Sequence, residues 1–235
     1  MKTISELQDI ASQVRRDIIR MTSQAQSGHP GGSLGCADIL TALYFNVMNI
    51  NPSQFKMNGD GEDLFFLSNG HISPVLYSVL ARRGYFPISE LATFRKLDSR
   101  LQGHPSIVHN LPGVRMASGS LGQGLSNAIG AALTKKLNGD KSIVYCLCGD
   151  GELQEGQNWE AIMFAAAKNV NNLIAIVDDN GLQIDGATKD VCDLGDLRTK
   201  FEAFGWQVLD MDGHNMENIL SVLNEAKQKL SNEKN

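Results

Sequence analysis

Two short turns, thirty residues apart, are the strongest chemical feature of the sequence. Gly149-Asp150-Gly151 directly follows the apolar run Ser142 to Cys148, and Asp179-Asn180-Gly181 directly follows the run Asn172 to Val177. That spacing accommodates one strand–helix–strand unit, and a right-handed crossover would set both turns at the carboxyl edge of neighbouring parallel strands, where such folds bind ligands. Asp150 and Asn180 could then hold one cation between them. Magnesium suits the pair, because it prefers oxygen ligands, needs few from protein, and completes its octahedron with water and phosphate oxygens. Gly149 and Gly151 would let the backbone approach phosphates closely. Alone, Gly-Asp-Gly is an ordinary turn; its distance from the second turn is what makes the two a candidate site.

Three histidines sit where they could join such a site. His71 ends the run Asp63 to Ser68, which places it on the same predicted sheet edge as Asp150, within reach of a phosphate. His29 and His104 each precede a proline in a Gly-bearing loop, a rigid mount for a reactive side chain. A lone loop histidine can equally be a surface or hydrogen-bonded polar residue, and His109 and His214 carry no assignment. The segment Gly119-Ser120-Leu121-Gly122-Gln123-Gly124 matches a dinucleotide loop poorly, and the preceding LPGVRMAS makes no convincing buried strand. Glu155 and Glu160 lie early in a predicted helix, where any carboxylate gains ~0.3 to 1 kcal/mol from the dipole.

These residues need elements to position them. Asp63 to Ser68, Ser142 to Cys148 and Asn172 to Val177 read as strands buried on both faces, and Trp206 to Leu209 is a fourth candidate. Helical spacing marks Ile4 to Met21, with Thr3 and Glu6 set as a capping box, and also Cys36 to Val47, Pro74 to Arg83, Gly122 to Leu137, Glu155 to Lys168 and Met216 to Leu230. The Gly-rich break Ser27 to Gly32 reads as an ordered loop between helices. Alternating strands and helices predict an α/β fold, a doubly wound and mainly parallel sheet with helices on both faces, in one domain over residues 1–235. Only the last five residues look like a loose polar tail.

Composition narrows the function. With 42% hydrophobic residues the chain can bury a sizeable core, and at a net charge of -5 its 21 Lys and Arg are scattered in pairs such as Arg15-Arg16, with no basic face for nucleic acid. Cys36, Cys146, Cys148 and Cys192 make no C-x-x-C pair and read as reduced thiols; Cys146 and Cys148 should face the same side of their strand. The N-terminal segment carries charges throughout, and no run approaches the ~20 apolar residues of a membrane span. A soluble, cytoplasmic protein is expected.

The run GDGELQEGQNWEA with DDNGLQIDG closely resembles the thiamine diphosphate fingerprint of transketolases, and SGHPGGSLG, LSNGH, GHP and GSLGQGL resemble further segments of that family, so the likeness spans most of the chain. It implies a transferase moving a two-carbon ketol unit from a ketose phosphate to an aldose, with thiamine diphosphate and magnesium as cofactors. By the same resemblance Asp150, Asn180 and the main-chain carbonyl of Leu182 are the magnesium ligands. Gly151 donates its N–H to the diphosphate, and Ile184 lines the thiazolium pocket. His71 contacts the diphosphate, while His29 and His104 hold the donor sugar's hydroxyls and shuttle protons, making all three the catalytic histidines. Gly119, Ser120 and Leu121 contact the cofactor rings, although most relatives carry proline where Ser120 stands. Glu155 and Glu160 fall at the family's subunit interface, near the activating glutamate of the partner.

Nothing in the sequence resembles the pyrimidine-binding or C-terminal domains of the family. The resemblance therefore implies that the partner is a separate C-terminal subunit, with two copies of each chain and no activity from this chain alone. Relatives also continue past the Met216 to Leu230 helix into a further strand, a Lys-Gly-Lys-Gly-like turn and a histidine, which do not occur here; that strand's absence predicts a shorter sheet or an exposed edge. Three other readings stay open: a deoxyxylulose phosphate synthase-like protein, an inert interaction subunit of the same fold, and a nicotinamide-binding domain. LSNGH and GHP favour transketolase over the first.

Overall fold

A computed structural model describes residues 1–184 and 186–232. Asp185, inside the DDNGLQIDG run, and the end of the polar tail at 233–235 lie outside the described residues. The first helix, α1 (Ile4–Ala25), starts at the expected capping box: Thr3 Oγ1 accepts from the Glu6 N–H at 3.2 Å and the Thr3 N–H donates to Glu6 Oε2 at 2.7 Å. Its stripe of Leu7, Ala11, Val14, Ile18 and Met21 is buried. The break after it is shorter than the sequence suggests. Pro30, with its fixed φ and no N–H to lose, starts α2 (Pro30–Gly35) at the first helical position, so only Ser27 to His29 form the loop. α3 (Ala37–Ala42) continues into one wide π turn over Leu43–Val47.

Three parallel strands, β1 (Leu64–Leu67), β2 (Val144–Gly149) and β3 (Leu173–Asp178), form a sheet in that order, with Leu64 beside Val144 and Val144 beside Leu173. Between β1 and β2 lie α4 (Ser73–Arg83) and α5 (Gly124–Leu137), and α6 (Gly156–Ala167) links β2 to β3. Alternate side chains of β2 serve two cores, as strand geometry requires. Tyr145 and Leu147 pack with α1, α3 and α4, while Val144, Cys146 and Cys148 pack with α5 and α6. Helices therefore cover both faces, and the Cys146 and Cys148 sulfurs lie 3.9 Å apart on one of them. Asp17 joins α1 to α4 by accepting from Arg82 Nε at 2.6 Å and Nη2 at 2.9 Å.

Beyond β3 the chain forms a small antiparallel hairpin, β4 (Leu182–Gln183) with β5 (Gly186–Ala187), then α7 (Thr188–Cys192), α8 (Leu197–Ala203) and α9 (Met216–Asn232). The fourth strand expected at Trp206 to Leu209 does not form. The segment is held by other partners: the Trp206 N–H donates to the Phe201 carbonyl at 3.1 Å, Arg198 Nη1 donates to the Val208 carbonyl at 3.3 Å, and the Trp206 indole N–H donates to the Ile162 carbonyl of α6 at 3.0 Å. A groove of about 1080 Å³, lined by Ile174, Ile176, Trp206, Val208, Leu223 and Leu230 among others, separates this segment from the outer edge of β3. A strand pattern without a neighbour in pairing distance stays irregular. No helix among the described residues is long and apolar enough to cross a membrane.

Candidate functional site

The strands converge on one edge. β2 is buried through Cys148, so Gly149 emerges at its carboxyl end and Asp150, 5% exposed, caps the short 3-10 turn Gly151–Gln154. Gly149 lies in register with Asp178 at the end of β3. Asp150 then binds both turns: Oδ1 accepts from the Gly151 N–H at 2.8 Å, and Oδ2 accepts from the Gly181 N–H at 2.8 Å. Asn180 is held by donating Nδ2 to Asp178 Oδ2 at 2.9 Å, and its Oδ1 accepts from the Leu182 N–H at 2.9 Å. The two turns picked out by spacing thus meet at Asp150.

Their donor set suits a hard cation. Asp150 offers a carboxylate, Asn180 an amide oxygen and Leu182 a main-chain carbonyl, the oxygen types magnesium prefers. Among the described residues no three His, Cys, Asp or Glu side chains cluster as a metal site, so any such ion would depend on this mixed set. Burial, and then the charge of Asp150, raises the neighbouring Asp179 carboxyl above its usual value. Asn69 adds a buried Oδ1 without a hydrogen-bond partner, on the turn that follows β1 and beside Gly149. Hidden polar atoms left unpaired in this way are uncommon and call for a missing partner.

The histidines gather next to that turn. His71 lies in the 3-10 turn Gly70–Ile72 after β1, and His29 immediately precedes α2, where its carbonyl accepts from Ser33 Oγ at 2.8 Å. Their rings meet edge to face at 5.0 Å between centroids. Burial, followed by the proximity of His29 and His104, brings His71 down to about 4. His29 is lowered by burial and then by Arg95, and His104 by burial, then Arg95 and His29. All three imidazoles are therefore neutral near pH 7, able to donate from one nitrogen and accept at the other.

The loop 119–124 closes the cluster. A Cβ on Gly119 would come within 3.3 Å of the His104 ring, and one on Gly70 or Gly124 would collide with Ser118 or Ser68. Gly122, at φ +85°, makes a turn that only glycine adopts without strain. Gly119 and Ser120 are exposed and Leu121 is half-buried. Ile184 is 90% exposed and Leu182 66%, while Glu155 and Glu160 are also exposed beside and within α6. These last residues are largely open to solvent.

Sequence reasoning missed three contributors: Glu152, Ser68 and Arg95. Glu152, 2% exposed, reads as one more polar residue in a turn, and no periodicity marks its contacts with Ser68, 84 positions away. Arg95 lies in a loop at φ +58°, with its guanidinium packed so closely on Gly103 that a Cβ there has no room. The only hint in the sequence was its place a few residues before GHP.

Comparison with known proteins agrees with this arrangement. The family described as transketolase, thiamine diphosphate binding domain, matches residues 7–233. The 6-deoxy-6-sulfo-D-fructose transketolase subunit SqwG of Clostridium sp. (strain MSTE9) is 40% identical over 223 residues, 95% of this chain and 80% of that protein. An apulose-4-phosphate transketolase subunit of Actinobacillus succinogenes is 41% identical over 219 residues, covering 93% and 78%. A crystal structure of transketolase from Campylobacter jejuni superposes with a TM-score of 0.88 at 36% identity, over 98% of this chain and 37% of that one. The chain thus spans 37% of the length of that transketolase chain and about four fifths of the two subunits. From its motifs, its sheet and these likenesses together, the chain belongs to the transketolase family, and residues 7–233 are its thiamine diphosphate binding domain.

Proposed function

We propose that this chain is the N-terminal, diphosphate-binding subunit of a split transketolase, a transferase that moves a two-carbon ketol unit from a ketose to an aldose. One observation supports the reading: Asp150 accepts from both the Gly151 and the Gly181 N–H groups, joining the turns that follow two neighbouring strands. Asp150, Asn180 and the Leu182 carbonyl would hold magnesium, and Gly151 and His71 the diphosphate. Gly119, Ser120, Leu121 and Ile184 would meet the rings. Thiamine diphosphate, when bound, supplies a carbon nucleophile and an electron sink for breaking and making the carbon–carbon bond.

The chain's own contribution is positioning and proton handling. His29 and His104, kept neutral, can accept a proton from a sugar hydroxyl and return it, because an imidazole with a lowered pKa is a base at neutral pH. The exposed Ile184, Leu182, Glu155 and Glu160 would be covered by a C-terminal subunit carrying the pyrimidine-binding and C-terminal domains, in an assembly of two copies of each chain. In the same reading residues 1–235 act as one domain in the cytoplasm. The donor is a ketose with an anionic end group, a class supported by the sulfosugar and sugar phosphate named in the two related subunits.

The test is calorimetric titration of thiamine diphosphate, with and without magnesium, into this chain co-expressed with the product of the adjacent gene, followed by a screen of ketose donors. Magnesium-dependent binding that falls at least ~100-fold in Asp150→Ala, with the far-UV spectrum unchanged, is the expected result. Unchanged affinity in that variant would remove the assignment. Ketol transfer by the purified single chain would remove the split-enzyme part.

A further inference from the structure

Three segments that approach the proposed cofactor site meet at one side chain that the mechanism above does not use. Glu152 is 2% exposed. Its Oε1 accepts from Ser68 Oγ at 2.5 Å and from the Gly122 N–H at 2.8 Å, and its Oε2 accepts from the Gly149 N–H at 3.1 Å. Ser68 Oγ in turn accepts from the Gly124 N–H at 3.1 Å. The backbone of Glu152 is itself anchored, its carbonyl accepting from Asn158 Nδ2 at 2.8 Å. One carboxylate therefore ties the end of β1, the loop 119–124 and the turn after β2.

The chemistry of this cluster is specific. Every partner is a donor, and none carries a charge, so only an acceptor on both oxygens satisfies all three. An amide in place of the carboxylate would turn an NH2 toward at least one N–H or O–H donor. Burying a carboxylate costs several kcal/mol, which apolar packing would avoid if Glu152 served only to fill space. The glycines it engages have no freedom to drift: Gly122 is held at a positive φ, and Gly124 is pressed on Ser68.

We propose that Glu152 is a positioning residue that locks the loop 119–124 to the turn 149–151, so that the ring-contacting and diphosphate-contacting parts of the cofactor site form one rigid unit. The proposal rests on the reading of those two segments given under Proposed function. A ligand reaching only the turn should depend on Glu152 far less than a ligand spanning both segments. Inorganic pyrophosphate with magnesium is the first kind, and thiamine diphosphate with magnesium is the second.

The experiment measures both affinities by calorimetry on the co-purified complex, for wild type, Glu152→Gln and Ser68→Ala. Losing a hydrogen bond to a charged acceptor should cut the ratio of thiamine diphosphate to pyrophosphate affinity by about tenfold in Glu152→Gln. A residue that merely stabilised the fold would lower the melting temperature and leave that ratio alone, and a ratio within about twofold of wild type would overturn the proposal. Should Glu152→Gln not fold, Ser68→Ala, which removes the Ser68 and Gly124 bonds and keeps Glu152 bonded to Gly122 and Gly149, loosens one of the two ties of the loop and should lower the ratio by about threefold; a ratio within about twofold of wild type would again overturn the proposal. Absence of magnesium-dependent thiamine diphosphate binding in the wild-type complex would instead bring down the functional reading, and this proposal with it.

Discussion

The two outer strands of the sheet are similar in composition and opposite in surroundings. β1 (LFFL) and β3 (LIAIVD) are both short apolar strands paired on one side to β2. All four residues of β1 are buried, and the chain around it is sealed by Asp63, whose two oxygens accept from the Asn49 and Ile143 N–H groups at 2.9 and 2.8 Å. In β3 only Leu173 and Ile176 are buried, and its outer edge borders the groove in front of residues 206–211. The burial of an edge strand is thus decided by what is packed beside it and not by its own side chains. The contrast also matters for function: His71 hangs from the sealed edge, and Asn180 with Leu182 from the open one.

Core truncation should give the largest contrast. Phe65→Ala, in the sealed strand, should cost about 3–5 kcal/mol, whereas Ile174→Ala, partly buried beside the groove, should cost less, roughly 1–2 kcal/mol, because a partly exposed site loses less transfer energy and can relax. Urea denaturation of the two variants measures this, and equal losses would contradict the contrast. If the groove is filled when the partner subunit binds, the Ile174→Ala cost should rise in the complex.

The histidines extend the contrast to the level of the site. His29→Ala and His104→Ala should reduce turnover by about 100-fold with little change in cofactor affinity, as expected for groups that handle substrate protons. His71→Ala should do the reverse, weakening thiamine diphosphate and sparing turnover at saturating cofactor. Steady-state kinetics at varied cofactor separates the two patterns, and wild-type behaviour in all three variants would make the cluster a structural one.

A pH effect of smaller size follows from the depressed His71. Its unfolded imidazole binds a proton near 6.5 while the folded one resists until about 4, so the unfolded state binds more protons between those values. Stability should therefore be full above about pH 6.5 and decline as pH falls toward 4. The urea midpoint followed across that range should fall less in His71→Gln than in wild type. The smallest effect is expected at the far wall of the groove, where Arg198→Ala removes the bond to the Val208 carbonyl and an exposed pair with Asp210; a loss below about 1 kcal/mol is anticipated, measured in the same titration.

Much of this architecture can be read from local pattern. The capping box at Thr3 and Glu6, the buried stripe of α1 and the three parallel strands follow from spacing, because the periods of helix and strand are properties of the backbone. The interval between Asp150 and Asn180 likewise leads to one sheet edge, since a right-handed crossover leaves their turns few other places. Local pattern fails where the deciding partner is distant. Trp206 to Leu209 carries a strand-like composition, yet Arg198 and α6 hold it away from β3. Pro30 turns the second half of a Gly-rich loop into helix. The His29–His71 ring contact, the Arg95 cation behind Gly103 and the convergence of Ser68, Gly122 and Gly149 on Glu152 join residues from separate elements. The order of residues is enough to specify most of the turns and strands, and that their chemistry is that of the transketolase family. Which edge is sealed, and which side chain binds the loops together, is settled by the folded chain alone, because such contacts arise from packing between segments and leave no periodic trace in the sequence.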